Sequence, residues 1–168
     1  VFLNNITQKA IKLHFDSSSK RPREIKILGQ LSPPFPHETR KLDAYITTFK
    51  GSTYHASEQV WTHTMAHYPS SLSDISRKIR RLPEPFARQV ILDILQGLSA
   101  LNELGYMHRD IKPENILLQP PFYKYLLNNP WLNIPGNTPQ LNPKAIKLPL
   151  LVIADYRLAK KYDSTPSG

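Results

Sequence analysis

The stretch Tyr106-Met107-His108-Arg109-Asp110-Ile111-Lys112-Pro113-Glu114-Asn115-Ile116-Leu117-Leu118 decides how this 168-residue chain is read. It follows a long helical pattern and runs into a short apolar segment, so its polar residues fall on an irregular loop between a helix and a strand. An aspartate, a lysine two residues on and an asparagine five residues on then share one loop. A carboxylate there can orient a hydroxyl and accept its proton. A lysine can neutralise a phosphoryl group in transfer, and an amide oxygen can ligate a hard cation such as Mg²⁺. Asp155, at the end of the next apolar run, offers a second oxygen ligand. Phosphoryl transfer needs little beyond such positioning and charge neutralisation.

The preceding helix is expected after Pro83 and Pro85. Ala87, Val90, Ile91, Ile94, Leu95, Leu98 and Leu101 recur at three- and four-residue steps as one apolar stripe. Gly105 closes the helix as a left-handed cap. On the other side, residues 119–149 hold seven prolines, five asparagines and no acidic residue. They read as a long surface insertion rather than a folded module. Residues 150–154 are a buried-strand candidate, and 163–168 read as a frayed tail.

Nearer the N-terminus, residues 1–15 suggest two short strands around a polar turn at Asn4 and Asn5. Ala10, Lys12 and His14 alternate there with Ile11, Leu13 and Phe15. Residues 17–19 can cap a helix with Pro22 near its first turn. Glu24, Ile25, Ile27, Leu28 and Leu31 carry that helix until Pro33 and Pro34 stop it. Residues 44–50 and 59–66 are β-rich and separated by Gly51-Ser52, which predicts a strand pair.

Composition limits the alternatives. Hydrophobic residues make up 40% and charged residues 21%, so a folded core is expected. The absence of cysteine excludes disulfides, thiolate metal sites and a cysteine nucleophile. The longest apolar run, 148–154, is far too short to span a bilayer. Val1 begins the sequence with no basic-then-apolar leader after it, so a soluble cytoplasmic or nuclear protein, or a piece of one, is expected. The net charge of +9 admits an anionic partner. Basic residues cluster only at 20–23 and 77–81, without an RNA-binding motif, so neither nucleic acid nor membrane is expected as a partner.

His108-Arg109-Asp110-Ile111-Lys112-Pro113-Glu114-Asn115 resembles the catalytic loop of eukaryotic protein kinases, H-R-D-x-K-x-x-N, at every fixed position. Five specified residues arise by chance in a chain this long roughly once in 20,000 sequences. Weaker matches follow in the right order. Lys9-Ala10-Ile11-Lys12 looks like the V-A-I-K strand, and Glu24 resembles the C-helix glutamate that pairs with its lysine. Only twelve residues separate Lys12 from Glu24, fewer than is usual, which implies a short or tilted helix. Residues 65–68 fall at the gatekeeper and hinge, and Leu117 where an apolar residue lies beneath adenine. Asp155-Tyr156-Arg157-Leu158-Ala159-Lys160 looks like D-F-G-L-A-K with Tyr for Phe and Arg for Gly. Arginine there confines the backbone and adds charge beside the metal ligand.

The resemblance implies a two-lobed α+β protein-kinase-like fold, incomplete at both ends. A small antiparallel sheet plus the C-helix would occupy residues 1–66 and the start of a mainly helical lobe residues 67–168. It implies transfer of phosphate from ATP, with Mg²⁺, to serine or threonine hydroxyls of a protein substrate. Asp110 and Lys112 would be catalytic. Ala10, Lys12, Glu24, Met65, His67 and Leu117 would bind the nucleotide, and Asn115 and Asp155 the metal. Arg109 implies control by phosphorylation of the following segment, where Ser164 and Thr165 are candidate acceptors. A pseudokinase acting as a nucleotide- or partner-binding regulatory module is the alternative, favoured by Arg157 and by the missing Gly-rich loop.

Overall fold

A computed structural model describes residues 2–4, 9–15, 20–31, 44–78, 82, 84–128 and 149–162. Its N-terminal part is a four-stranded antiparallel sheet in the order β1-β2-β4-β3. The strands are β1 Phe2–Asn4, β2 Lys9–Phe15, β3 Phe49–His55 and β4 Val60–Ala66. Helix α1, Arg23–Leu31, begins directly after Pro22, whose carbonyl accepts a hydrogen bond from the Lys26 N–H. It buries Glu24, Ile25, Ile27, Leu28 and Leu31, the five residues its pattern marked. Each of the four apolar ones contributes about 1.5–3 kcal/mol by leaving water. The caps expected at 17–19 and the stop at Pro33 and Pro34 lie outside the described residues.

Two local expectations are corrected. Gly51 and Ser52 do not separate the strands; they lie inside β3, where the pairing register shifts between Phe49 and Gly51. The turn is at residues 56–59, so the pair begins later than the β-rich composition of 44–50 suggests. Ile46 instead makes a single parallel bridge to Ile153, and the Thr47 N–H donates to the Ile153 carbonyl, tying this segment to the second part of the molecule.

That part holds α2 Leu72–Lys78, α3 Glu84–Glu103, α4 Pro120–Leu127 and four short strands. Strands β5 Tyr106–Met107 and β8 Lys160–Lys161 pair antiparallel, as do β6 Ile116–Leu118 and β7 Leu151–Ile153. Ser71 and Asp74 start α2 with a reciprocal cap: the Ser71 N–H donates to Asp74 Oδ2 and the Asp74 N–H to Ser71 Oγ. After α3, Gly105 has φ 76°, the left-handed conformation that ends a helix without a Cβ clash.

The buried face of α3 differs from the expected stripe. Phe86, Val90, Asp93, Gly97, Ala100 and Leu101 are buried, whereas Ile91, Leu92 and Leu95 stay more than half exposed. The helix turns this face inward because β7 approaches at Gly97. A Cβ at that position would lie 2.7 Å from the Ile153 side chain and 3.1 Å from the Tyr45 carbonyl oxygen. Helix α4 corrects the reading of 119–149 as a surface insertion. Pro120 and Pro121 sit in its first turn, where a missing N–H costs nothing. Phe122 and Leu126 join the core, with the Phe122 ring 5.1 Å from that of Phe86. The remainder of that insertion, 129–148, and the tail 163–168 are outside the described residues. Residues 150–154 are fully buried, as their composition predicts. No helix among the described residues is long and apolar enough to cross a membrane.

Candidate active site

Strand β2 presents Ala10, Lys12 and His14 on the sheet face that meets α1. The Lys12 ammonium lies 2.8 Å and 2.7 Å from the two carboxylate oxygens of Glu24 and 3.4 Å from Asp155 Oδ1. One cation therefore joins β2, α1 and the end of β7. Burial pushes the Glu24 carboxyl up, and the Lys12 charge offsets part of that rise. The twelve-residue spacing is met by a nine-residue helix that begins one residue before Glu24.

The loop after β5 is held by its own side chains. Asn115 donates from Nδ2 to both the backbone oxygen and Oδ2 of Asp110, each at 2.9 Å. This leaves the side-chain oxygen Oδ1 of Asn115 as a ligating atom. The Lys112 ammonium lies 3.1 Å from Asp110 Oδ2. Hydrogen bonding from Lys112, reinforced by Asn115, holds the Asp110 carboxyl below the usual carboxylate range, so it is an ionised acceptor at neutral pH. Pro113–Asn115 form a single 3₁₀ turn that delivers Asn115 into β6.

His108 joins this loop to the strand end that carries Asp155. The Asp110 N–H donates to His108 Nδ1 at 3.2 Å, which places the imidazole proton on Nε2. Nε2 then donates to the Ala154 carbonyl at 2.9 Å. Burial lowers the His108 pKa, consistent with a neutral ring. The Ala154 N–H returns a bond to the Asn115 carbonyl at 2.9 Å. Arg109, at φ 65°, donates to the Leu158 carbonyl at 2.7 Å.

Arg157 changes the character of Asp155. Its guanidinium grips both carboxylate oxygens, Nε at 2.8 and 3.0 Å and a terminal nitrogen at 2.7 Å. Burial alone would raise the Asp155 carboxyl; the Arg157 hydrogen bonds and the Lys12 charge outweigh it and hold it at about 2. The left-handed backbone angle falls on Asp155, φ 63°, and not on Arg157. Aspartate tolerates that region better than most residues. Tyr156 is fully buried, with its ring 5.3 Å from His108 and its hydroxyl donating to the Ile153 carbonyl. Asn115 and Asp155 together offer hard oxygen donors of the kind Mg²⁺ takes, and Lys12 and Lys112 bring two cations to the same region.

The remaining nucleotide candidates are more dispersed. Ala10 and Met65 are cross-strand partners at one end of the sheet, with His67 two residues beyond Met65. Leu117 lies in β6, pairs with Val152 and bridges to Ser71. The Leu118 N–H donates to the Ser70 carbonyl, fixing the connection from β4 against β6.

This geometry agrees with a comparison against known families, in which the protein kinase domain matches residues 4–166. The chain belongs to the protein kinase family. It is 38% identical over 96 residues to a dual specificity mitogen-activated protein kinase kinase 1 of Dictyostelium discoideum, which covers 56% of this chain and 13% of that protein. It is 30% identical over 102 residues to the serine/threonine-protein kinase ATG1 of Colletotrichum lindemuthianum, 57% of this chain and 15% of that protein. The kinase domain described here thus corresponds to a small fraction of those curated relatives. Among solved structures, the yeast RNA Pol II CTD kinase CTDK-1 complex contains a chain that superposes with a TM-score of 0.61 at 19% identity. That superposition covers 96% of this kinase chain and 43% of the yeast one, and establishes the fold.

Sequence reasoning missed two polar positions in this kinase domain. Asp93, on α3, is buried, and its Oδ2 accepts the N–H groups of Leu150 and Leu151 at 2.6 and 3.2 Å. The carboxylate thereby anchors the start of β7, the strand that aims Asp155. A charged residue inside an otherwise apolar helical run was the available signal. The other is the pair of half-buried His14 and buried His63, whose ring nitrogens Nε2 and Nδ1 are 2.8 Å apart behind Lys12. Two histidines in neighbouring strands carry no motif, so only the register reveals them.

Proposed function

We propose that this protein transfers the γ-phosphoryl group of ATP to serine or threonine hydroxyls of protein substrates. The observation that carries the reading is the convergence of Lys12, Asp110, Lys112, Asn115 and Asp155, brought from three separate parts of the chain. Lys12, positioned by Glu24, binds the α- and β-phosphates. Lys112 draws the γ-phosphate toward Asp110. Ionised Asp110 orients the acceptor hydroxyl and takes its proton as the oxygen–phosphorus bond forms and ADP departs. Asn115 and Asp155 would hold Mg²⁺, which when bound neutralises charge on the phosphate oxygens. Lysine at position 112 supports serine/threonine acceptors, by resemblance to that branch of the family.

The test is radiolabelled phosphotransfer by the intact gene product to a generic protein substrate, alongside Mg-ATP thermal shift. Asp110→Asn is expected to abolish transfer and leave the nucleotide-induced shift in place. Transfer at the wild-type rate in that variant refutes the role of Asp110. The grip of Arg157 on Asp155 favours a second reading, a regulatory module that binds nucleotide without transferring phosphate. Nucleotide binding with no transfer by the wild-type protein would select it.

A further inference from the structure

We propose that His14, His63 and Glu24 form a binding site for a borderline transition-metal cation, Zn²⁺ or a close analogue, behind the Lys12 ion pair. His14 and His63 share one face of the sheet. Lys12 is the cross-strand partner of His63, and His14 lies two residues along the same strand. Glu24 meets that face from α1. Each residue offers one ligand atom, and these atoms all lie within 4.8 Å of one another. His14 Nε2 is 2.8 Å from His63 Nδ1 and 3.7 Å from Glu24 Oε2. Ligands of a tetrahedral Zn²⁺ at about 2.05 Å stand about 3.3 Å apart. The first distance must therefore open, and the second close, by about half an ångström or less, and the His63–Glu24 separation, at most 4.8 Å, must close by up to about 1.5 Å. His63 is fully buried, and its Nε2 has no hydrogen-bond partner among the described residues. The buried part of the cluster thus uses only part of its hydrogen-bonding capacity.

Ligand chemistry selects the ion. Two imidazoles and a carboxylate suit Zn²⁺ or Co²⁺ and give Mg²⁺ or Ca²⁺ little, because those ions prefer all-oxygen shells. The charges that face the cluster are Lys12, Arg157 and Asp155, so the negative charge of the ligand Glu24 is what offsets the surplus cation beside the site. Lys12 has a second carboxylate available at 3.4 Å, that of Asp155, once the metal takes Glu24. A bound ion then removes the partner that positions Lys12 and places a double positive charge next to it. Resting on the proposed phosphotransfer, this makes the site inhibitory.

The experiment measures Zn²⁺ uptake by the full protein against a chromophoric chelator, and Co²⁺ uptake by its visible absorption. One equivalent is expected, persisting in excess Mg²⁺, lost in His63→Leu and weakened at least tenfold in His14→Gln. The second variant, at the partly exposed position, keeps the test decisive if His63→Leu does not fold. No uptake by the wild-type protein, or uptake unchanged in His14→Gln because the ion sits on exposed His55 or half-buried His67, overturns the site. Phosphotransfer inhibited by Zn²⁺ in wild type and resistant in His14→Gln supports the inhibitory consequence, and equal inhibition of both refutes it. Uptake at the site by a protein that transfers no phosphate would leave the metal site standing and reject the phosphotransfer reading instead.

Discussion

Substituting Arg157 by glycine tests the proposed role of Asp155, at the end of β7, as a metal ligand. The guanidinium occupies both oxygens of Asp155 at 2.7–3.0 Å, so an incoming Mg²⁺ competes with it for the same atoms. The Arg157 side chain is 60% exposed, and water screens the pair. An exposed pair contributes up to about 1 kcal/mol, and the forked geometry places this one near that limit. Removing it therefore lowers the Mg²⁺ concentration for half-maximal phosphotransfer by about fivefold. Lys12 remains at 3.4 Å and keeps Asp155 ionised in the variant. The assay is a Mg²⁺ titration of transfer at saturating nucleotide, repeated as a Mg²⁺-dependent thermal shift. Arg157→Ala removes the same charge without freeing the backbone, so any further change in Arg157→Gly measures backbone freedom alone. Identical Mg²⁺ dependence in wild type and both folded variants would refute the competition.

Substitutions at three further positions probe the frame. Asp93→Ala leaves the Leu150 and Leu151 N–H groups buried without their acceptor and should cost about 2–4 kcal/mol in denaturant unfolding; a loss under half a kcal/mol would mean that Asp93 does not anchor β7. Burial raises the Asp93 carboxyl, so between its unfolded and folded pKa values the native state holds more protons. Stability accordingly falls as pH rises through that window, and Asp93→Asn should lack this slope in pH-dependent unfolding. Gly97→Val drives side-chain atoms into Ile153 and the Tyr45 carbonyl and should destabilise by about 1–3 kcal/mol, read as a lowered Tm. Phe122→Ala should cost about 3–5 kcal/mol if α4 belongs to the core, and almost nothing if it is a surface appendage.

What the sequence disclosed follows from how local each signal is. The catalytic loop is short and matches H-R-D-x-K-x-x-N at every fixed position, so Asp110, Lys112 and Asn115 were marked by that resemblance. Helix α1 was legible because its buried positions follow the helical period without interruption. Helix α3 was legible as a helix but its buried face was not, because Ile91, Leu92 and Leu95 extend the apolar pattern around the cylinder, and only the approach of Ile153 to Gly97 decides which face turns inward. Proline content hid α4, since prolines in a first turn resemble those of a loop. The Ser71–Asp74 cap was visible as a Ser-x-x-Asp spacing, but the seven-residue helix behind it is too short to show a period. The contact of Lys12 with Asp155 spans 143 positions and depends on tertiary structure alone.

The imidazole of His108 has a wider mechanical meaning. With one ring nitrogen receiving from the Asp110 amide and the other giving to the Ala154 carbonyl, it acts as a rivet between two stretches of chain some forty-six positions apart. The backbone pairing of Ala154 with Asn115 is a second fastening in the same seam. Asp110 and Asp155, the proposed base and metal ligand, thus ride on one stiff plate.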